Sequence, residues 1–181
     1  MAINHPKTGP NYVPAYQVSG IPFVTASAAN EVQCVSLSAA EVRDPTVVNF
    51  PYVTKFITIR NTGNNELRVG FSERGVFAPG ERLPTSAGGD SGAAKGTTTL
   101  DTANYFLIPT GSGGSDSNGN AQSTQTFDIR CKKIVFLSNN AHANPKDTAL
   151  SSSFTLLAGL TNIQASQFPI LTGSSGFEGV G

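Results

Sequence analysis

The stretch from Gln125 to Leu137 constrains the fold of this 181-residue chain more strongly than any other segment. Phe127, Ile129 and Cys131 alternate with charged side chains, which is the two-residue period of a strand with one buried and one solvated face. Residues 134–137 are all apolar, and no glycine or proline turn separates the two halves. Such a change of pattern without a turn is typical of a corner where the chain crosses between the two sheets of a sandwich.

We place this corner at Cys131, Lys132 and Lys133. The alternative is a single long strand whose second half is buried on both faces. In either case we expect Phe127, Ile129, Phe136, Phe154 and Leu156 to be buried in the core.

Strand patterns occur along most of the chain between residues 21 and 160. Eight segments alternate or are rich in β-branched and aromatic residues: 21–26, 32–37, 52–60, 66–72, 105–108, 125–131, 133–138 and 152–160. Sustained helical periodicity is missing, apart from about one turn near Thr161 to Ser166. We therefore predict an all-β, eight-stranded, two-sheet sandwich, and the single jelly roll is the commonest fold of that kind.

One connection fits this topology poorly. Residues 61–65, Asn-Thr-Gly-Asn-Asn, resemble the turn of a hairpin between the third and fourth predicted strands. In a jelly roll these two strands belong to different sheets, so the same residues would form an arch. The sequence leaves both interpretations open.

The predicted domain organisation is an extended N-terminal arm (1–18), a jelly-roll domain (19–162) and a C-terminal tail (163–181). The arm contains Pro6, Pro10, Pro14, Tyr12 and Tyr16. Its prolines disfavour a helix, and its aromatic side chains need a surface on which to lie. The tail is too apolar to be solvated and too rich in glycine for a helix. Each segment packs either on its own domain or on a neighbouring subunit.

Composition excludes several classes of protein. Twelve basic and twelve acidic residues give a formal net charge of zero, so we expect no direct nucleic-acid partner. No apolar run reaches the roughly 18 residues of a membrane span, and no signal peptide is visible. Charged residues make up 13% of the chain, about half the usual share. Such a surface suits a lectin-like domain, and equally a subunit whose flanks are buried by neighbours.

The residues that most often carry chemistry are few and scattered. His5 and His142 lie in the predicted arm and in a predicted loop, without a carboxylate or cysteine at catalytic or ligand spacing. Cys34 and Cys131 are predicted to be buried thiols, with a disulfide or a metal role as the alternative. No GxSxG motif occurs. We therefore predict no catalytic residue, no cofactor and no metal site.

Two further groups of charged residues are weak candidates. Acidic residues in the polar loops, without the regular spacing of a calcium loop, are Glu81, Asp90, Asp101 and Asp116. A weak cation site there is left open. The basic cluster Arg130, Lys132 and Lys133 is interpreted as the solvated face of a strand.

Six segments carry a family resemblance: FPYVTKFITIRNTG, LRVGFSERGV, NYFLIP, FDIRCKKIVFL, SFTLLAGLTNI and FPILTGSSGFEGVG. Taken together they resemble the small single-jelly-roll penton (vertex) proteins of large icosahedral double-stranded DNA viruses. The resemblance runs from about Ile21 to Gly181. It implies a homopentamer at the fivefold vertex of the virion, in contact with major capsid protein capsomers and other minor capsid proteins.

Our first hypothesis is therefore a structural capsid protein and not an enzyme. Its expected subunit interface contains Tyr12, Tyr16, Phe168 and Phe177. The alternative is a carbohydrate- or receptor-binding β-sandwich, lectin-like or similar to a fibre head, with a host glycan or receptor as its partner. That site would be built from the polar loops on either side of Tyr105 and Phe106.

Overall fold

The computed structural model describes residues 21–28, 31–36, 45–73, 75–78, 81, 104–110, 123–142 and 149–169. These residues form nine strands: β1 (Ile21–Ala26), β2 (Cys34–Ser36), β3 (Thr46–Asn49), β4 (Tyr52–Asn61), β5 (Leu67–Gly70), β6 (Tyr105–Ile108), β7 (Thr124–Phe127), β8 (Lys133–His142) and β9 (Phe154–Gln164). A short 3-10 turn, Ala165–Gln167, follows the last strand.

The strands form two sheets. The four-stranded sheet has the order β1-β9-β4-β7 and is antiparallel throughout. The five-stranded sheet has the order β2-β8-β5-β6, with β3 also paired to β8, and its one parallel pairing is that of β2 with β8. Apolar side chains from both sheets pack together in a single core, so the predicted all-β, two-sheet sandwich is confirmed.

The core follows from the alternation of the strands. Phe136, from β8, stacks on Phe154, from β9, with ring centroids 3.9 Å apart, and both rings are buried. Leu156 is buried beside them, while Phe127 and Ile129 are half-buried and pack against the same cluster. Burial is therefore confirmed for three of the five predicted residues, while Phe127 and Ile129 pack against the core without being fully buried.

The predicted corner between the sheets is present, because β7 and β8 belong to different sheets, but residues 128–132 form it and it begins three residues before the predicted Cys131. Thr54 of β4 holds this connection. Its hydroxyl donates to the carbonyl oxygen of Ile129 at 2.8 Å and accepts the backbone N–H of Cys131 at 3.0 Å. The pairing of β4 with β7 stops at Phe127, and the register of β4 shifts on both sides of Thr54. The side chain of Thr54 thus replaces ladder hydrogen bonds at the corner.

The connection between β4 and β5 is an arch, because these strands lie in opposite sheets. Asn61 organises it: its side-chain nitrogen donates to the carbonyl oxygens of Asn65 and Pro109 at 2.8 and 2.9 Å. Its side-chain oxygen accepts the Gly63 N–H at 2.9 Å and the Ser152 hydroxyl at 3.0 Å. A Cβ atom on Gly63 would lie 2.8 Å from the Ser152 Cα, so the arch requires glycine there.

Several predicted elements need correction. There are nine strands and not eight, because β3 (Thr46–Asn49) forms within the stretch predicted as a connection. Strand β9 continues to Gln164, through most of the stretch near Thr161 to Ser166 where about one helical turn is predicted, and the 3-10 turn begins only at Ala165. His142 is the last residue of β8 and does not lie in a loop. Hydrogen-bonded pairing with β8 forms β3, and pairing with β4 carries β9 beyond the apolar pattern that identifies it in the sequence.

Candidate functional site

Of the four predicted subunit-interface residues, the structure describes one, Phe168. Tyr12, Tyr16 and Phe177 lie outside the described residues. Phe168 is half-buried and packs against Val53 and Ile163 of its own domain. Part of the Phe168 ring is exposed and could also contact a partner. An interface at the four predicted residues therefore stays a prediction.

A small cavity lies beside Phe168 at the corner. Its volume is about 10 Å³, and it is lined by Phe71, Cys131, Lys132, Lys133, Phe168 and Pro169. That volume suits a single water molecule and excludes an organic ligand. Both lysines are engaged: Lys132 Nζ donates to the carbonyl oxygen of Phe168 at 3.3 Å, and Lys133 pairs with Glu73 at 3.0 Å. Arg130 and Lys132 therefore lie in the corner connection and not on a strand face as predicted, while Lys133 is the first residue of β8.

The cysteines are free and buried, as predicted. Burial raises the pKa of the Cys131 thiol to about 11, and hydrogen bonds from the Thr54 side chain and the Lys133 backbone offset this only in part. The thiol therefore stays protonated at neutral pH. A buried, protonated thiol is a poor nucleophile and a poor metal ligand.

Of the four acidic candidates for a cation site, the structure describes Glu81, which is paired with an arginine. Glu81 forms hydrogen bonds to Arg68 through both carboxylate oxygens, at 2.6 and 2.9 Å. The described residues contain no cluster of three or more side chains able to hold a metal ion. His5, Asp90, Asp101 and Asp116 lie outside the described part of the chain.

One outer face of the sandwich is covered by the chain itself. After β5 the chain turns back, and Val76 and Phe77 pack on Val135 and Leu137, which point outward from β8. We call the described residues 71–73, 75–78 and 81 the strap; residues 74, 79 and 80 between them are not described. A Cβ on Gly70 would lie 2.6 Å from Val76, so the strap can approach β5 because this residue is glycine.

Arg68 fastens the strap to the sheet. Its guanidinium forms a bidentate pair with Glu81 and donates to the Val76 carbonyl oxygen at 3.2 Å. On its other sides it donates to Asn139 Oδ1 at 2.7 Å and lies 4.6 Å from the ring centroid of Tyr105. The side chain is only 6% exposed. Such a planar, bidentate and nearly buried arginine fixes its partners in one geometry.

The outer face of the four-stranded sheet is different. Val24 of β1 and Leu157 of β9 are registered neighbours, and they are 74% and 43% exposed. Leu157 also pairs with Thr58, whose hydroxyl lies 3.0 Å from that of Thr126. Across four strands this row of side chains contains two exposed apolar groups, two threonines and no charge.

A second exposed apolar area lies on β6. Phe106 and Leu107 are 57% and 47% exposed, and the ring of Phe106 contacts that of Phe127 on β7, with centroids 5.3 Å apart. These two rings bridge the two sheets along one side of the sandwich. Sequence reasoning selected Phe106 for the rival function and did not select Val24 or Leu157. The available signal was Leu157, an apolar residue at a solvent-facing position of an otherwise alternating strand.

Comparison with known proteins identifies no relative of this chain. No protein-family model matches the chain, and neither a curated protein nor a solved structure is significantly similar to it. Within the described residues, no helix has the length and apolar character that a bilayer span requires.

Proposed function

We propose that this chain is a structural subunit of an icosahedral virus particle and that five copies close a fivefold vertex. Strand order is the observation that supports this most strongly. When the three-residue β2 is left aside, the eight remaining strands in chain order are arranged 1-8-3-6 in one sheet and 2-7-4-5 in the other. This is the arrangement expected of a single jelly roll made of two Greek keys, an architecture found in viral capsid proteins and also in lectin domains.

The chemistry of the surface also supports an assembly role. The chain has a net charge of zero and few charged residues, so its copies do not repel one another. Apolar side chains are exposed on a sheet face and on an edge strand. The groups that could carry catalysis are otherwise engaged where they are described: Cys131 is buried and protonated, and Glu81 is paired with Arg68.

The test is a three-dimensional reconstruction of particles that contain this chain. The expected result is density for five copies of the sandwich around each fivefold vertex. Density at any other position overturns the vertex assignment. Particles assembled with a chain truncated after Gln167, which keeps β9 and the buried Ile163, answer the narrower question about the tail: empty vertices are expected if Phe168 and Phe177 contribute to the interface.

The rival function, binding of a carbohydrate or receptor, draws support from the exposed ring of Phe106. Tyr105 supports it less, since its ring is already covered by Arg68. A glycan array probed with the natural chain and with Phe106→Ala separates the two functions. Saturable binding that is lost in the variant favours the rival.

A further inference from the structure

After β9 the chain returns to the corner between β7 and β8. Phe168 packs on Val53 and Ile163. Its carbonyl oxygen accepts a hydrogen bond from the Lys132 ammonium at 3.3 Å. Pro169 follows and lines the small cavity at the corner. These two residues are therefore held on the domain, and the segment that comes after them starts its path at this cavity.

The surface around this starting point is basic. Four basic side chains lie in the corner connection or next to it: Lys55, Arg130, Lys132 and Lys133. Two acidic side chains accompany them, Asp128 in the connection and Glu73, which is paired with Lys133. The corner therefore has an excess of two positive charges, although the net charge of the whole chain is zero.

The composition of residues 170–181 matches this surface. Their one charged side chain is the acidic Glu178, and the preceding Phe177 is their largest apolar group. Nine fully extended residues would carry Glu178 up to about 30 Å away from Pro169. The sequence between Leu171 and Phe177 is Thr-Gly-Ser-Ser-Gly, however, and such glycine- and serine-rich stretches favour a reverse turn. A turn there brings Phe177 and Glu178 back toward the corner.

The corner offers a contact for each of these two side chains. The Lys132 ammonium has three N–H donors, and the Phe168 carbonyl oxygen accepts one of them, so the cation lies directly at the start of the segment. Phe71 and Pro169 line the cavity together and form its apolar rim. Because Phe71 is half-buried and Pro169 is exposed, both rings have apolar surface left to cover.

We propose that residues 170–181 fold back over the corner of their own chain. Phe177 packs on the apolar rim of the cavity, and the Glu178 carboxylate pairs with Lys132. The occupant is the same chain because the start of the segment is already held at this surface. A short tether gives an effective concentration of about millimolar or more, which a separate copy has to match. This inference goes beyond the proposed function and does not depend on it, and it assigns Phe177 to its own domain.

The first experiment exchanges the two charges. Lys132→Glu, Glu178→Lys and the double variant are compared with the natural chain. Ala26→Lys is the control, at an exposed position on the opposite end of the four-stranded sheet. Thermal unfolding verifies that each variant is folded. Amide hydrogen exchange is measured for residues 170–181 and for a free peptide of the same sequence.

Exchange of this segment in the natural chain and in the control is expected to be at least about tenfold slower than in the free peptide. Each single variant is expected to lose about fivefold of this protection, because it places two like charges together. The double variant is expected to recover it, since a pair of opposite charges is restored.

A carbodiimide provides a second measurement, because it joins an ammonium and a carboxylate that are in contact without adding a spacer. The expected product links Lys132 to Glu178 and has the mass of one chain. A linked product with the mass of two chains overturns the assignment to the same chain, since the segment then occupies the corner of another copy. Protection that increases with protein concentration overturns it in the same way.

The other outcomes separate this inference from the vertex role. Exchange of the segment in the natural chain at the rate of the free peptide overturns its docking at the corner. Protection that the double variant does not recover overturns the pairing of Lys132 with Glu178. Neither result affects the vertex role, which the particle reconstruction decides. Particles without this chain at their vertices would remove that role and leave the docking of the segment intact.

Discussion

The outer faces of the two sheets both carry apolar side chains, but these side chains are covered to different extents. On the five-stranded sheet, Val135 and Leu137 are buried beneath Phe77 of the strap. On the four-stranded sheet, Val24 and Leu157 face solvent. The difference shows that exposed apolar side chains are not an unavoidable result of this architecture. On the five-stranded sheet the strap excludes water from Val135 and Leu137, and the nearly buried Arg68–Glu81 ion pair holds the strap in place.

The largest expected effect compares one side chain from each face. Phe77→Ala should lower the free energy of unfolding by about 3–5 kcal/mol, since it removes a buried ring and leaves a cavity. Leu157→Ala should lower it by less than about 1 kcal/mol, because the residue is already 43% exposed and its removal leaves no enclosed cavity. Denaturant unfolding of both variants measures the difference. Equal losses would mean that the two faces are energetically alike.

The second prediction tests the fastening of the strap. Arg68→Met should lower the free energy of unfolding by about 3 kcal/mol, because it leaves the Glu81 carboxylate without its partner in a largely buried position. The double variant with Glu81→Gln should lose less than the sum of the two single variants, since the residues act as a pair.

Amide hydrogen exchange provides the local measurement for the same variants. Exchange should accelerate in the strap and at Val135 and Leu137, which the strap covers, while β1 and β9 keep their protection. Acceleration distributed equally over both sheets would contradict a local role for Arg68.

The smallest expected effect is a change of stability with pH, which tests whether water is excluded from the core around Cys131. The pKa of Cys131 rises on folding from its ordinary value of 9.0 to about 11, because burial disfavours the thiolate. Below pH 9 both states keep the proton and stability is unaffected. Between pH 9 and 11 the unfolded chain loses the proton first, so stability falls, by about 1.4 kcal/mol at pH 10.

The measurement is the free energy of unfolding against pH for the natural chain and for Cys131→Ala. The difference between the two curves isolates the thiol from the other groups that titrate in this range. A natural chain that loses no more stability than the variant between pH 8 and 10 would mean that the thiol is solvated.

Much of the fold was accessible from the sequence because the core strands alternate strongly. The predicted ranges match β1 and β6 fully and β4 to within one residue, and the pattern change near Cys131 located the corner. Strand β3 was missed because Val47 and Val48 are too few to show a period. The early end of β7 depends on the Thr54 hydroxyl, which is distant in sequence and carries no pattern of its own.

The candidate surfaces were less accessible. An apolar residue at a solvent-facing position, such as Leu157, marks an exposed group only after the opposite side of the strand is known to be the core. The strap could not be predicted, because nothing in the local sequence pairs Arg68 with Glu81, thirteen residues away. In the sequence alone, Gly70 would be interpreted as a residue that weakens the strand. Only the structure shows that Val76 packs too close to it for a side chain.

The position of β9 has a consequence for the synthesis of the protein. This strand lies between β1 and β4, and it supplies the pairing partner of both. A ribosome that has made everything up to Ser153 therefore carries a chain in which β1 has no neighbour and β4 has only the short β7. Pairing between strands so distant in sequence is slow and leaves apolar edges exposed in the meantime. The four-stranded sheet is thus completed only after the last strand has left the ribosome.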